Sequence, residues 1–241
     1  MLKALRTVAL TCAISTIFGV SGLLAGEKEE SIATAVAEYL ISARAVIAQN
    51  QKLINDPTKG DKGLTPIVYE QQVRKDFYVR SNVDITKLGN DDFSKALLDI
   101  HESAKQVISA AQGQINEPGK GFKGFNPAAF GARVGAELQK RSDIRVKQTS
   151  THFRGAYNKP DEYETAILTK FASGQKGQEH TEEVVLNGNK VVRHLVPVYI
   201  AASCLTCHGD NAGEIDVSGH KKEGYKEGEL RGALSILVPV K

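Results

Sequence analysis

Two residues apart and followed at once by a histidine, Cys204 and Cys207 stand in the segment Cys204-Leu205-Thr206-Cys207-His208-Gly209. Thiols at this spacing can form thioether bonds to the two vinyl groups on one edge of a porphyrin. His208 then lies under the iron as an axial ligand. The same pair can also serve zinc or a redox-active disulfide. Structural zinc takes four ligands, and the chain has no second C-x-x-C or C-x-x-H pair. A thioredoxin-like pair opens a helix after a strand within a βαβ unit. Residues 191–202 read as a strand, but no parallel α/β pattern surrounds them. One covalent haem c per chain is the first reading, a redox disulfide the second and zinc the last.

The start of the chain bears on what those thiols can do. Lys3 and Arg6 precede Thr7 to Ala25, a stretch without charge, and small residues (Ser21, Gly22, Ala25, Gly26) lead into Glu27-Lys28-Glu29-Glu30. Residues 1–26 are therefore expected to be a cleaved export signal, leaving a periplasmic or otherwise exported chain with no stable membrane insertion. The alternative is a retained anchor, since 19 uncharged residues just span a bilayer, but three threonines, two serines and two glycines make it a poor span. Cys12 leaves with this segment, and apolar sequence continues past it, unlike a lipid-modified cysteine. Exported proteins usually place cysteines in long-range disulfides. Here the remaining two have no distant partner, so their chemistry is local. The net charge of +3, or +1 without Lys3 and Arg6, argues against nucleic acid as a partner.

The elements that must position the motif follow a helix-then-sheet order. Gln51 to Pro66 matches Gln112 to Pro127 at an offset of 61 residues, and the match reaches back to Ser42-Ala43 against Ser103-Ala104. Each copy reads as a helix, a Gly/Lys/Pro-rich loop and a second helix, with Thr65-Pro66 and Asn126-Pro127 as N-cap and first-turn pairs. The loops Lys59–Gly63 and Lys120–Gly124 lack the order of a phosphate-binding loop and are expected to be solvated turns. Asp143 to Thr151 then alternates as a strand, and Lys159-Pro160-Asp161-Glu162 starts a helix ending near Phe171. Strands are expected over 182–186, 190–201 and 230–240, with Asn187-Gly188 as a hairpin turn. This is an α+β arrangement with a mostly antiparallel sheet, the motif lying between its last two strands.

Several segments together resemble a known family, the c-type haem-binding domains with a PAS-like fold, found as small soluble proteins and as periplasmic sensing domains of bacterial receptors. They are Gly124-Phe125-Asn126-Pro127-Ala128-Ala129-Phe130-Gly131, Lys147-Gln148-Thr149-Ser150, and Phe153-Arg154-Gly155-Ala156-Tyr157-Asn158-Lys159-Pro160-Asp161-Glu162. Pro197-Val198-Tyr199 before the motif and Gly228-Glu229-Leu230-Arg231-Gly232 after it complete the set. The resemblance covers residues 93–241 and departs at Gly155-Ala156, where the family usually shows Asn-Pro. It implies a PAS-like haem c domain over 91–241, with residues 27–90 as a helical extension.

Some soluble relatives supply a sixth iron ligand from a cysteine in the helix before the sheet, and no cysteine stands there in this chain. Met1 is the only methionine. Ranking the histidines puts His101 first, in the helix 93–112 where the resemblance places the distal ligand. His152 is second, and no protein ligand third. His180 and His220 fall in polar loops, and His194 in a strand. Arg154 and Arg231 could pair with haem propionates, guanidinium matching carboxylate as a fork, or stand in surface salt bridges. Three functions stay in view: a single-haem electron carrier with an unidentified redox partner, a haem-based redox or gas sensor acting through another protein, and a non-haem redox disulfide. No set of acid, base and nucleophile names a reaction, so a carrier or binding protein is expected rather than an enzyme.

Overall fold

The computed structural model describes residues 26–174 and 176–241; the expected leader, Gly26 apart, lies outside the described residues. Eight helices occur there: α1 (Glu27–Gln49), α2 (Gln51–Ile54), α3 (Pro66–Ser81), α4 (Asp92–Ala110), α5 (Gln112–Ile115), α6 (Pro127–Leu138), α7 (Glu162–Ser173) and the one-turn α8 (Leu205–His208). Four strands, β1 (Arg145–Thr149), β2 (His180–Leu186), β3 (Asn189–Tyr199) and β4 (Leu230–Pro239), form one sheet in the order β1-β4-β3-β2. Every pairing in it is antiparallel. The class is α+β, as the sequence predicts. Asn187 and Gly188 both take positive φ (52° and 82°), the conformation a tight hairpin between β2 and β3 requires.

The repeat becomes a reciprocal pairing. Gln51 Nε2 donates to the Phe125 carbonyl at 2.9 Å, and Gln112 Nε2 donates to the Leu64 carbonyl at 3.0 Å. Likewise the Lys123 N–H donates to Asn55 Oδ1 and the Lys62 N–H to Asn116 Oδ1, each at 3.0 Å. Moving the donor of one bond up by 61 residues and its acceptor down by 61 generates the other, so each copy's helix end holds the other copy's loop. The two loops are solvated at Lys59, Asp61, Gly63, Lys120 and Gly121, but each turns one lysine inward. Lys62 and Lys123 are each 2% exposed. Their ammonium groups turn inward, Lys62 to the carbonyls of Asp56 and Lys59, and Lys123 to those of Glu117 and Lys120. Each ammonium supplies donors that turn carbonyls would otherwise lack once buried.

α1 explains how helices and sheet cohere. By length and apolar composition it could cross a membrane, but it packs against α3, α4, α6, β3 and β4. One buried cluster runs from Ile32 and Leu40 through Phe77 and Phe130 to Val192, Leu234 and Ile236. The boundary expected at residue 90 thus falls inside a continuous core. On the opposite sheet face α7 packs Ile167, Leu168 and Phe171 against Leu195 and Ala233. Strand alternation sorts the two faces: Leu234 and Ile236 point to the helical layer, and Ala233 to α7.

The Pro160-Asp161-Glu162-Tyr163-Glu164 stretch has a structural role. Asp161 accepts from the Glu164 N–H at 2.7 Å and Glu164 accepts from the Asp161 N–H at 2.9 Å, a capping box for α7. Glu164 is also held by Lys147 of β1 (2.7 Å) and Arg193 of β3 (3.3 Å), which ties the helix start to the sheet.

Candidate functional site

The motif lies on the connection from β3 to β4. Ile200 bonds the other end of that connection twice, to Glu229 and to Gly228, so its two ends meet at the end of the two central strands. A 3-10 turn (Ala202–Cys204) leads into α8, which carries Cys207 and His208. Gly209 ends it: a Cβ there would sit 2.7 Å from the Leu205 carbonyl oxygen, so only glycine allows the chain to turn away so closely. Both thiols are free and partly exposed.

Glu223 organises the chemistry around them. Its Oε2 lies 2.8 Å from His208 Nδ1. Arg154 grips the same carboxylate with Nε at 2.7 Å and Nη2 at 2.8 Å. Arg154 also donates from Nη1 to Asp216 (2.6 Å) and from Nη2 to the Cys207 carbonyl (2.7 Å). Arg231 stands 3.7 Å from Glu223 and donates to Ser150 Oγ at 2.6 Å. On the far side the Tyr225 N–H donates to the His208 carbonyl (2.8 Å), and its hydroxyl meets His152 Nδ1 at 3.1 Å. Burial lowers the His208 pKa despite Glu223, so the imidazole is neutral at neutral pH. Glu223 fixes the proton on Nδ1 and leaves Nε2 with its lone pair, as metal-bound histidines are usually held. Burial, aided by Asp216, pushes the Cys207 thiol up, opposite to the activated thiolate of a redox disulfide. Among the described residues no group of three or more His, Cys, Asp or Glu is placed to hold a metal ion.

Residues 24–239 match a family model described as Tll0287-like. The chain belongs to the Tll0287-like family. The match takes in the N-terminal helices as well as residues 93–239. Among solved structures, the crystal structure of the cyanobacterial heme protein Tll0287 aligns with a TM-score of 0.44 and 20% identity, covering 63% of this chain and 97% of that one. No curated protein matches.

Within this Tll0287-like chain the predicted residues separate. His101, first for the sixth position, is 3% exposed in the helical core. Its Nδ1 meets the Tyr39 hydroxyl at 3.0 Å and its Nε2 meets Glu70 at 3.3 Å. Both nitrogens are engaged, so the apolar stripe of α4 does bury the ring, but for a core hydrogen bond rather than for iron. His101→Ala is expected to leave the spectrum of the haem-loaded protein unchanged. It should cost about 1–3 kcal/mol by stranding the buried Tyr39 hydroxyl, seen as a fall of several degrees in Tm. His152 is exposed and lies beside the motif through Tyr225. His194 is buried and neutral, its pKa pushed down by burial to about 4, with Nδ1 on Thr181 at 2.7 Å. His180 pairs with Glu182 at 3.3 Å, and His220 is exposed beside Ser218.

Arg154 and Arg231 converge on one carboxylate. Both turn inward to Glu223, and Arg154 also holds Asp216. At Gly155 a Cβ would fall 2.6 Å from the exposed Tyr157 ring, which would have to shift to admit it.

Two site residues escape a reading of the sequence. Glu223 follows His208 by fifteen residues with no spacing rule to mark it. Asp216 carries a weak signal, an Asp two residues before Ser218, whose hydroxyl and N–H it receives.

Proposed function

We propose that this chain is an exported, PAS-like protein that carries one haem c, attached through Cys204 and Cys207 and ligated by His208, and that it serves in electron transfer. One observation carries the reading: Glu223 holds His208 Nδ1 at 2.8 Å and leaves Nε2 free, one residue from Cys207 and four from Cys204. The Tll0287-like family shares its name with a cyanobacterial heme protein, and haem binding agrees with that membership. The bound group would supply a one-electron couple. The chain's own part is to keep His208 neutral and oriented, through Glu223, and to clamp the attachment turn, through Arg154 on the Cys207 carbonyl. Phe153, Tyr157, Ile215 and Val217 are exposed on the segments flanking Arg154 and Asp216, apolar surface that a bound ring could cover.

A second reading, small-ligand binding or sensing through a separate partner protein, is favoured by His101, whose nitrogens are both occupied inside the helical layer. The deciding experiment is an absorption spectrum of the full chain made in a host that matures c-type cytochromes. A haem c spectrum that is low-spin in the ferric state and unmoved by carbon monoxide in the ferrous state supports the carrier. A spectrum that carbon monoxide shifts supports ligand binding. Protein without haem, with Cys204 and Cys207 joined in a disulfide, would overturn both.

A further inference from the structure

Gly26 stands directly before α1, is buried, and takes a φ of 105° that favours glycine. Two carboxylates converge on it. Its N–H donates to Glu29 Oε2 at 3.0 Å, and Glu183 Oε2 of β2 lies 3.1 Å from where a Cβ on Gly26 would stand. Glu29 is 2% exposed. Its ion pair with Lys28 is loose, 3.6 Å from Oε1, and that ammonium bonds Asp92 at 2.8 Å instead. Glu27 and Glu30 add further acid to the same first turn. A buried carboxylate is costly unless a cation meets it closely. A peptide N–H at Gly26 brings one proton and no charge.

The chain itself has a way to put a cation at that nitrogen. Ala25 is a small residue that closes the uncharged stretch Thr7 to Ala25, the kind of position at which leaders are cut. Hydrolysis of the Ala25–Gly26 bond adds water across it, the hydroxyl going to the Ala25 carbonyl carbon and a proton to the Gly26 nitrogen. An α-amino group titrates at about 7.7–8.0, so the freed amine takes up a further proton at neutral pH. It becomes an ammonium with three donors and a full charge. One donor keeps the bond to Glu29. Another is then available to Glu183, whose other oxygen holds Lys190 at 2.7 Å.

We propose that the Ala25–Gly26 bond is the processing site of this chain, and that the α-ammonium freed there docks between Glu29 and Glu183, tying the start of α1 to the sheet. The proposal rests on the export reading and deepens it. It keeps Gly26 in the mature chain, one residue before the expected end of the leader. α1 packs against both the helices and the sheet, so a lock at its start fixes the element that joins the two layers. Cleavage by a leader endopeptidase thus completes the fold as well as releasing it.

The first measurement is the N-terminal sequence and intact mass of the full chain after export, with Gly26 expected as the first residue. The second compares the Tm of that protein with its α-amine free and selectively acetylated, in the unsubstituted chain and in Glu29→Gln. Acetylation removes the charge and leaves one N–H. Glutamine keeps an acceptor for that N–H and removes only the opposing charge. Acetylation is expected to lower Tm by about 3 °C or more in the unsubstituted chain, the loss of a charge-assisted bond in a protein of this size. In Glu29→Gln it is expected to change nothing. If that variant does not fold, Glu183→Gln takes its place, and the acetylation shift is expected to shrink in it. A mature chain that begins at any residue other than Gly26 overturns the proposal, and so does an acetylation shift that is absent or equally large with and without the substitution. Failure of the export reading shows separately, as a chain that stays in the cytoplasm with Met1 in place.

Discussion

The double variant Cys204→Ala, Cys207→Ala is expected to yield protein from which all haem is removed by acid and organic solvent, whereas the unsubstituted chain keeps its haem through the same treatment. The difference is one of bond type. Two thioether bonds survive denaturation, while an iron–imidazole bond and ring packing do not. Either single variant should keep one thioether and so retain haem, with a shifted spectrum. His208→Ala should keep both thioethers and lose the axial nitrogen, moving the ferric iron toward high spin. Intact-mass measurement separates these cases, because covalent haem adds its mass to the denatured chain. Haem retained after extraction in the double variant would place the attachment elsewhere. The fold should tolerate the change, since both thiols are partly exposed and lie outside the two apolar clusters. Loss of haem can then be read as loss of attachment rather than of structure.

What the sequence disclosed and what it hid follow one physical division. Elements set by local rules were legible. The Thr65-Pro66, Asn126-Pro127 and Asp161 caps start helices where expected, because a cap depends on residues two or three apart. The Asn187-Gly188 turn and the four antiparallel strands followed from alternation and turn chemistry. Interactions between distant segments were not legible. Helix periodicity put His101 on an inward face but could not say that Tyr39 and Glu70 await it there, 62 and 31 residues upstream. The 61-residue repeat was visible, yet its outcome, each copy's Gln and Asn holding the other's loop, required the two copies to be placed face to face. Glu223 is the clearest case. It is one acidic residue in a glycine- and lysine-rich loop, and its importance comes from Arg154, 69 residues away, and His208 meeting on it.

Arg154→Ala is expected to be the most destabilising single substitution near the motif and to lower the yield of correctly ligated haem. Arg154 makes a two-point grip on Glu223, an ion pair at 2.6 Å with Asp216 and a bond to the Cys207 carbonyl. Its removal leaves the Asp216 side chain, 0% exposed, without its cation. Breaking one side of a buried pair costs about 3–5 kcal/mol. Arg154 is itself 18% exposed and Asp216 keeps its bonds from Ser218 and His220, so the lower end, about 3 kcal/mol, is expected. For a chain of this size that is a fall of about 6–12 °C in Tm. Arg154→Lys should recover only part of it, since an ammonium cannot span Glu223, Asp216 and the Cys207 carbonyl at once. The effect should also depend on pH. Burial acts to raise the Asp216 pKa, but bonds from Ser218, Arg154 and the His220 backbone outweigh it and hold the carboxyl well below the usual range. A depressed folded-state pKa gives stability that is fully present above the unfolded value, about 3.9, and is lost as pH falls through the folded one. The gap in Tm between the unsubstituted chain and Arg154→Ala should therefore be constant from neutral pH down to about 5 and narrow below about 4. A gap that instead widens on acidification would show that the Asp216 carboxylate is not what Arg154 stabilises.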